Sequence, residues 1–163
     1  MKVWKLSSIT DRRLSSTPKN GLFKGNPQFY NFNAIGGDCT NFASQCIYAG
    51  AGVMNYTPTF GWYYISVNNR TPSWTGVEYL YNFLVNNEDA GPFAEEVSLE
   101  KLEVGDIVQL GTATNDFYHS PVVVRIANGQ IYVAAHTYDA FNKPLSSYNF
   151  AKARGIHILG VRK

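Results

Sequence analysis

The stretch HSPVVVRIANGQIYVAAHTY, residues 119–138, decides the fold. Two β-branched runs flank Asn128-Gly129, and Asn-Gly between such runs is the strongest short-range hairpin signal. A two-residue loop fixes the register, so opposed residues have numbers summing to 257. Ile126 then faces Ile131, Val124 faces Val133, and Pro121 faces His136. His119 lies two residues beyond Pro121 and projects from the same side, which makes His119 and His136 neighbours on one face. Pro121 has no N–H to give the ladder, so pairing there must loosen, bulge or end, and a bulge would move the register by one.

Outward from this hairpin, LEVGDIVQL (102–110) reads as a turn followed by a short strand at 106–110, and GIHILGVR (155–162) as a closing strand. Upstream the period changes. DCTNFASQCIYA (38–49) sets Cys39, Phe42, Ala43, Cys46 and Ile47 on one helical stripe, stopped by Gly50-Ala51-Gly52. GVEYLYNFLVNN (76–87) has helical spacing through Val77, Leu80, Tyr81 and Leu84. Residues 53–75, with TFGWYY and TPSWTG, read as a long structured loop. Helices first and antiparallel strands after describe an α+β domain, with N-terminal helices packed on one face of a C-terminal sheet.

The chain has 163 residues and 45% hydrophobic content, which fits one globular domain. Its 11 Tyr, 10 Phe and 3 Trp serve either a core or a groove for sugar or peptide. A net charge of +2 gives no argument for nucleic acid. Residues 1–26 carry Lys2, Lys5, Arg12, Arg13, Lys19 and Lys24 against Asp11, a local +5 that leaves −3 elsewhere. They read as a basic, polar, weakly ordered lead before a domain at 27–163. No run is long and apolar enough to span a membrane, and MKVWKLSSITDRR lacks the apolar block of a secretory signal.

Cys39 and Cys46 are seven residues apart, two helical turns or about 10 Å, too far for a disulfide. Their spacing does not suggest a metal site. Asp38 suits an N-cap, which puts Cys39 at the first helical position. There the unpaired N–H groups and the helix dipole favour a thiolate and offer donors to an oxyanion. The two preceding glycines let the backbone turn sharply. Cys46, mid-stripe, reads as core. A cysteine nucleophile needs a base, and the base an orienter. His119 is the candidate base and His136 the candidate orienter, with Asp139 and Asn142 as competing orienters. His157, with no evident partner, reads as structural.

Several ordered stretches carry a resemblance: NFNAIGGDCTNFASQCIYAGAGVMNYT, GWYY, SWTGVEYLYNFL, LEVGDIVQLG, HSPVVVRI and AAHTYDAFNKPLSSYNF with IHILGVR. Together, over residues 27–163, they resemble the bacterial putative amidase domain, placed among papain-like cell-wall cysteine hydrolases beside the NlpC-type and CHAP peptidases. The resemblance implies a papain-like fold and a cysteine-dependent hydrolase of peptidoglycan amide bonds. It implies Cys39 as nucleophile, His119 as general base, His136 as third member, and Asp38 lining the substrate site. Trp62 and Trp74 are candidate groove walls. The expected partner is a peptidoglycan peptide or other amide, bound by a monomer with no metal and no cofactor. The expected place of action is the bacterial wall, outside the cytoplasm. Two other readings stay open: a papain-like deamidase or acyltransferase acting on a protein, and a non-catalytic aromatic-rich binding module.

Overall fold

The Asn128-Gly129 signal forms the hairpin it announces, with φ of 52° and 72° at the two loop residues. Positive φ at both is what a type I′ turn requires. The computed structural model describes residues 26–163 except Asn115 and Tyr138; the expectation of a weakly ordered lead over residues 1–26 thus falls almost wholly outside the described residues. Flanking the turn are β6 (Val122–Ala127) and β7 (Gln130–Ala135). Ala127 pairs Gln130 and Ile126 pairs Ile131, as the loop length dictates. Beyond Arg125 a bulge shifts the register, so Val133 faces Val123 rather than Val124, and Ala134 faces Val122. The slip occurs three residues before it reaches Pro121. It overturns the expected Pro121–His136 pairing.

The run 119–127 is also two strands rather than one. Proline at 121 gives no ladder N–H, and the chain breaks there into β5 (Phe117–His119) and β6. β5 pairs instead with β4 (Ile107–Gly111), Leu110 facing His119. With β3 (Gly91–Val97), β8 (Ala140–Pro144) and β9 (Lys152–Arg162), these strands form one antiparallel seven-stranded sheet, ordered β3-β9-β4-β6-β7-β8 with β5 attached to β4. β3 contains Pro92, which an edge strand tolerates, and β3 lies at the edge.

Helix α1 (Cys39–Ala51) ends at Gly52. The expected long loop at 53–75 holds a small hairpin of β1 (Tyr64–Ser66) and β2 (Asn69–Arg70) and a single turn, α2 (Pro72–Thr75). Helix α3 (Val77–Asn86) follows at the expected place. One core cluster joins α1, α3 and the aromatic segment to the sheet through Ile107, Val122 and Ile156. A second, of Leu102, Val108, Leu110, Val123, Val133 and Leu145, fills the opposite face under short turns. The architecture is α+β with the helices on one face.

α1 is buried nearly all round, and its polar residues are inside as well as its apolar ones. The tryptophans explain this. Trp62 and Trp74 are fully buried, with ring centroids 4.8 Å apart. Trp62 Nε1 donates to Ser44 Oγ at 3.0 Å and Trp74 Nε1 to Asn41 Oδ1 at 2.9 Å. Buried indole N–H groups need acceptors, and α1 supplies them. Both tryptophans are core pillars and do not wall a groove, which corrects that expectation. Gly61 beside Trp62 is obligatory, because a Cβ there would lie 2.3 Å from the Asn55 carbonyl oxygen and 2.5 Å from that of Thr57.

Candidate functional site

Two glycines deliver the chain to the start of α1. Gly37, at φ 105°, brings the backbone so close to the β7–β8 turn that a Cβ would stand 3.3 Å from Thr137 Oγ1. The next amide, Asp38 N–H, donates to that same oxygen at 2.7 Å. Thr137 itself holds φ 105°, a strained value for a β-branched residue. Helix start and turn are therefore locked to each other.

Asp38 precedes the helix but does not cap it with its side chain. Its carboxylate is 2% exposed as a residue and fully engaged. Oδ1 accepts from Phe32 N–H at 2.9 Å and Asn41 Nδ2 at 2.8 Å, and Oδ2 lies 3.0 Å from His136 Nδ1. A carboxylate this deeply buried, with three partners already held, is out of reach of a substrate amine, which corrects its expected substrate-lining role. His136 is correspondingly buried, stacked on Phe42 with centroids 4.6 Å apart. Its Nε2 lies 4.0 Å from Asp139 Oδ1. Among the described residues no hydrogen bond or ring contact joins His136 to His119; the Nδ1 of His136 faces Asp38 instead. Asn142 accepts from Arg125 Nε at 3.0 Å and is occupied elsewhere. His157 does have a partner: its Nδ1 lies 2.8 Å from Asp106 Oδ2.

Cys39 occupies the first position of α1, as expected, and both cysteines are free thiols. Cys46 sits in the hydrocarbon cluster; Cys39 does not. Its Sγ faces polar groups: Thr40 Oγ1 at 3.8 Å and the Tyr118 carbonyl oxygen at 4.0 Å. Burial pushes the thiol pKa up from its ordinary value of 9.0. The Ser120 backbone, the Thr40 hydroxyl and the Thr40 backbone pull it down, and the Asp38 charge adds to the rise. Burial wins, so the resting sulfur is a thiol, against the thiolate that the helix start suggested.

His119 sits between the two residues whose backbones touch that sulfur. It is half-buried, its ring 5.7 Å from that of Tyr148. Among the described residues no hydrogen bond links it to Cys39. Burial first, and the Lys143 ammonium second, lower its pKa from 6.5 to about 4. At neutral pH the imidazole is uncharged and can take a proton. A stability consequence follows. The unfolded chain protonates this histidine below pH 6.5, the folded chain only near 4, so folding is progressively weakened as pH falls through that window. Urea midpoints should drop by an amount worth about 2–3 kcal/mol in total, after allowance for solvent contact. In His119→Asn this limb should be shallower; an unchanged slope would contradict the buried neutral imidazole.

A cavity of about 460 Å³ lies elsewhere, between the Thr57–Phe60 turn and the outer face of α3. Asn55, after the C-terminal end of α1, lines it, and none of Cys39, His119 or His136 does. Among the described residues no group of three or more His, Cys, Asp or Glu could hold a metal ion, and no helix is long and apolar enough to cross a membrane.

Residues 11–159 match the family described as Putative amidase domain. The chain belongs to that family. The match begins inside the basic lead and runs through nearly the whole sheet. An uncharacterized protein, YhbB, of Bacillus subtilis (strain 168) is 34% identical over 122 residues. That alignment covers 72% of this chain but 38% of YhbB, so the chain spans well under half of that relative's length. No solved structure matches the chain.

Proposed function

We propose that this amidase-family domain is a cysteine-dependent, papain-like amide hydrolase acting on the peptide bonds or sugar–peptide junctions of peptidoglycan. The observation that carries the reading is the seat of Cys39. Its sulfur lies at a helix N-terminus, out of the hydrocarbon core, against the backbone on either side of His119. With a neutral thiol and a neutral imidazole at rest, the base acts during attack. His119 takes the thiol proton as sulfur bonds to the amide carbonyl carbon. The unpaired N–H groups at the start of α1 stabilise the oxyanion. The amine leaves with the proton from His119. Water, activated by the same imidazole, then hydrolyses the thioester. Asp38 and His136 hold the helix start in place as positioning residues.

One observation favours a second assignment of the base. A buried carboxylate on His136 Nδ1 is the arrangement that fixes a catalytic imidazole. In that reading His136 serves Cys39 and His119 is structural. Comparing His119→Asn with His136→Asn separates the two: the true base loses the acylation step while the other variant retains it.

Digestion of purified peptidoglycan, followed by mass analysis of released fragments, tests the function. The proposal expects new amino termini or free sugar–lactyl ends that vanish with Cys39→Ala. Fragments released equally by Cys39→Ala would overturn it.

A further inference from the structure

A line of buried polar side chains runs from the thiol to α3, and its hydrogens can be placed from one end. Arg154 is clamped between the rings of Tyr81 and Phe117, its guanidinium carbon 3.5 and 3.9 Å from their centroids. Nη2 bonds Glu78 Oε1 at 2.9 Å. Nε and Nη2 both donate to Gln109 Oε1, at 2.9 and 2.6 Å. Arginine can only donate, so the amide orientation of Gln109 is fixed. Its Nε2 must then donate, and it does so to the Val77 carbonyl at 2.8 Å and to Ser120 Oγ at 3.2 Å. Ser120 accepts a second bond, from Thr40 Oγ1 at 3.3 Å. Gln109 and Ser120 are fully buried and Thr40 is 1% exposed.

Two consequences follow from this direction. With the only hydroxyl proton of Thr40 given to Ser120, its oxygen faces Cys39 Sγ, 3.8 Å away, as the nearer of two acceptors open to the S–H, the other being the Tyr118 carbonyl at 4.0 Å. Meanwhile Ser120 accepts twice, and its own O–H has no acceptor among the described residues. A fully buried hydroxyl donor without a partner calls for an explanation.

We propose that Thr40 is a switching hydroxyl for the nucleophile: it accepts from the Cys39 thiol at rest and, once the thiol proton has gone to the base, turns its O–H onto the sulfur anion, while Ser120 turns its spare O–H onto Thr40. Only hydroxyl rotations occur in the relay, and the one proton transferred is the thiol's. Gln109 and Arg154 are positioning residues that keep Ser120 from needing its own proton as a donor elsewhere. The base in this scheme is the one assigned under the proposed function, but the relay itself concerns only the ionisation of Cys39.

The test is the pH dependence of Cys39 alkylation by iodoacetamide, localised to that residue by tandem mass spectrometry on the full chain. It needs no substrate. The charge acting on the thiol is Asp38 before α1; beyond it stand His136 after β7, facing Asp38 and Asp139, and His119 on β5, facing Lys143 on β8, and all are retained in the variants. Thr40→Val should move the alkylation midpoint up by about one pH unit, roughly tenfold slower below it, or ~1.4 kcal/mol. Thr40→Ser should restore the wild-type midpoint, which a merely space-filling role of the methyl group would not. Circular dichroism melts confirm folding of each variant. A midpoint in Thr40→Val within about 0.3 units of wild type, small against the unit expected, would overturn the relay. If the midpoint moves as expected but Cys39→Ala still digests peptidoglycan, the relay stands and the hydrolase reading fails.

Discussion

Cys39→Ala is expected to lower amide turnover by about 10⁴-fold or more, with the urea midpoint close to wild type. Loss of a covalent nucleophile removes the reaction path itself, whereas binding and oxyanion donors alone leave a small residual rate. The fold should survive because the sulfur is not part of either hydrocarbon cluster. Cys46→Ala supplies the contrast. That sulfur is packed in the cluster with Ile47 and Trp62, so truncation should cost about 1–2 kcal/mol with turnover kept. The opposite pattern, an active Cys39→Ala and a stable but inactive Cys46→Ala, would show that the wrong thiol had been chosen. Steady-state rates and urea titrations on the two variants decide it.

Asp38→Ala is expected to be the most destabilising single change at the site. It strips the acceptor from Phe32 N–H, from Asn41 Nδ2 and from His136 Nδ1 at once, in a place 2% exposed. A buried donor left without a partner costs about 1–3 kcal/mol, and breaking a buried carboxylate pair about 3–5 kcal/mol. A loss near 3–5 kcal/mol would lower the melting temperature of a chain this size by about 10 °C or more. Asp38→Asn keeps the shape and one acceptor, so its cost should be smaller. It also removes the negative charge that raises the Cys39 thiol pKa. The thiol should then alkylate at slightly lower pH although the protein is less stable. A melting temperature for Asp38→Ala within a degree or two of wild type would mean that the carboxylate does not hold the helix start.

Much of the fold was legible, for local reasons. α1 begins at Cys39 and stops at Gly52 because DCTNF and GAG are start and stop signals readable over a few residues. Asn128-Gly129 announced its turn and the first three rungs of its ladder. The bulge beyond Arg125 was not announced. It is set by how β6 must reach β4 as well as β7: Val123 N–H donates to the Asp106 carbonyl and Gly105 N–H to that of Val123. β3 escaped notice because Pro92 demotes a run unless its edge position is known. β8 escaped because Phe141, Asn142 and Lys143 are exposed and show no buried alternation.

The site was half legible. The place of Cys39 at the start of α1 was readable from the residues around it. The partnership of Asp38 with His136 spans 98 residues, and no local pattern encodes it. Asp38 looked like a cap because the same residue type serves both purposes. Thr40, Ser120 and Gln109 carried no signal beyond being polar in otherwise apolar runs, although that contrast is itself the mark of a buried network. The tryptophans misled because rings in a loop-like segment suggest a surface, while here the segment folds its rings inward against polar acceptors on α1.

The central claim is that the sulfur of Cys39 becomes acylated by an amide substrate. Mixing the protein with peptidoglycan peptide fragments, quenching in acid within the first turnovers and weighing the intact chain tests it directly. The account predicts a mass increase equal to the acyl portion, mapped to Cys39 and absent from Cys39→Ala. Turnover with no adduct on Cys39, or an adduct on any other residue, would contradict it.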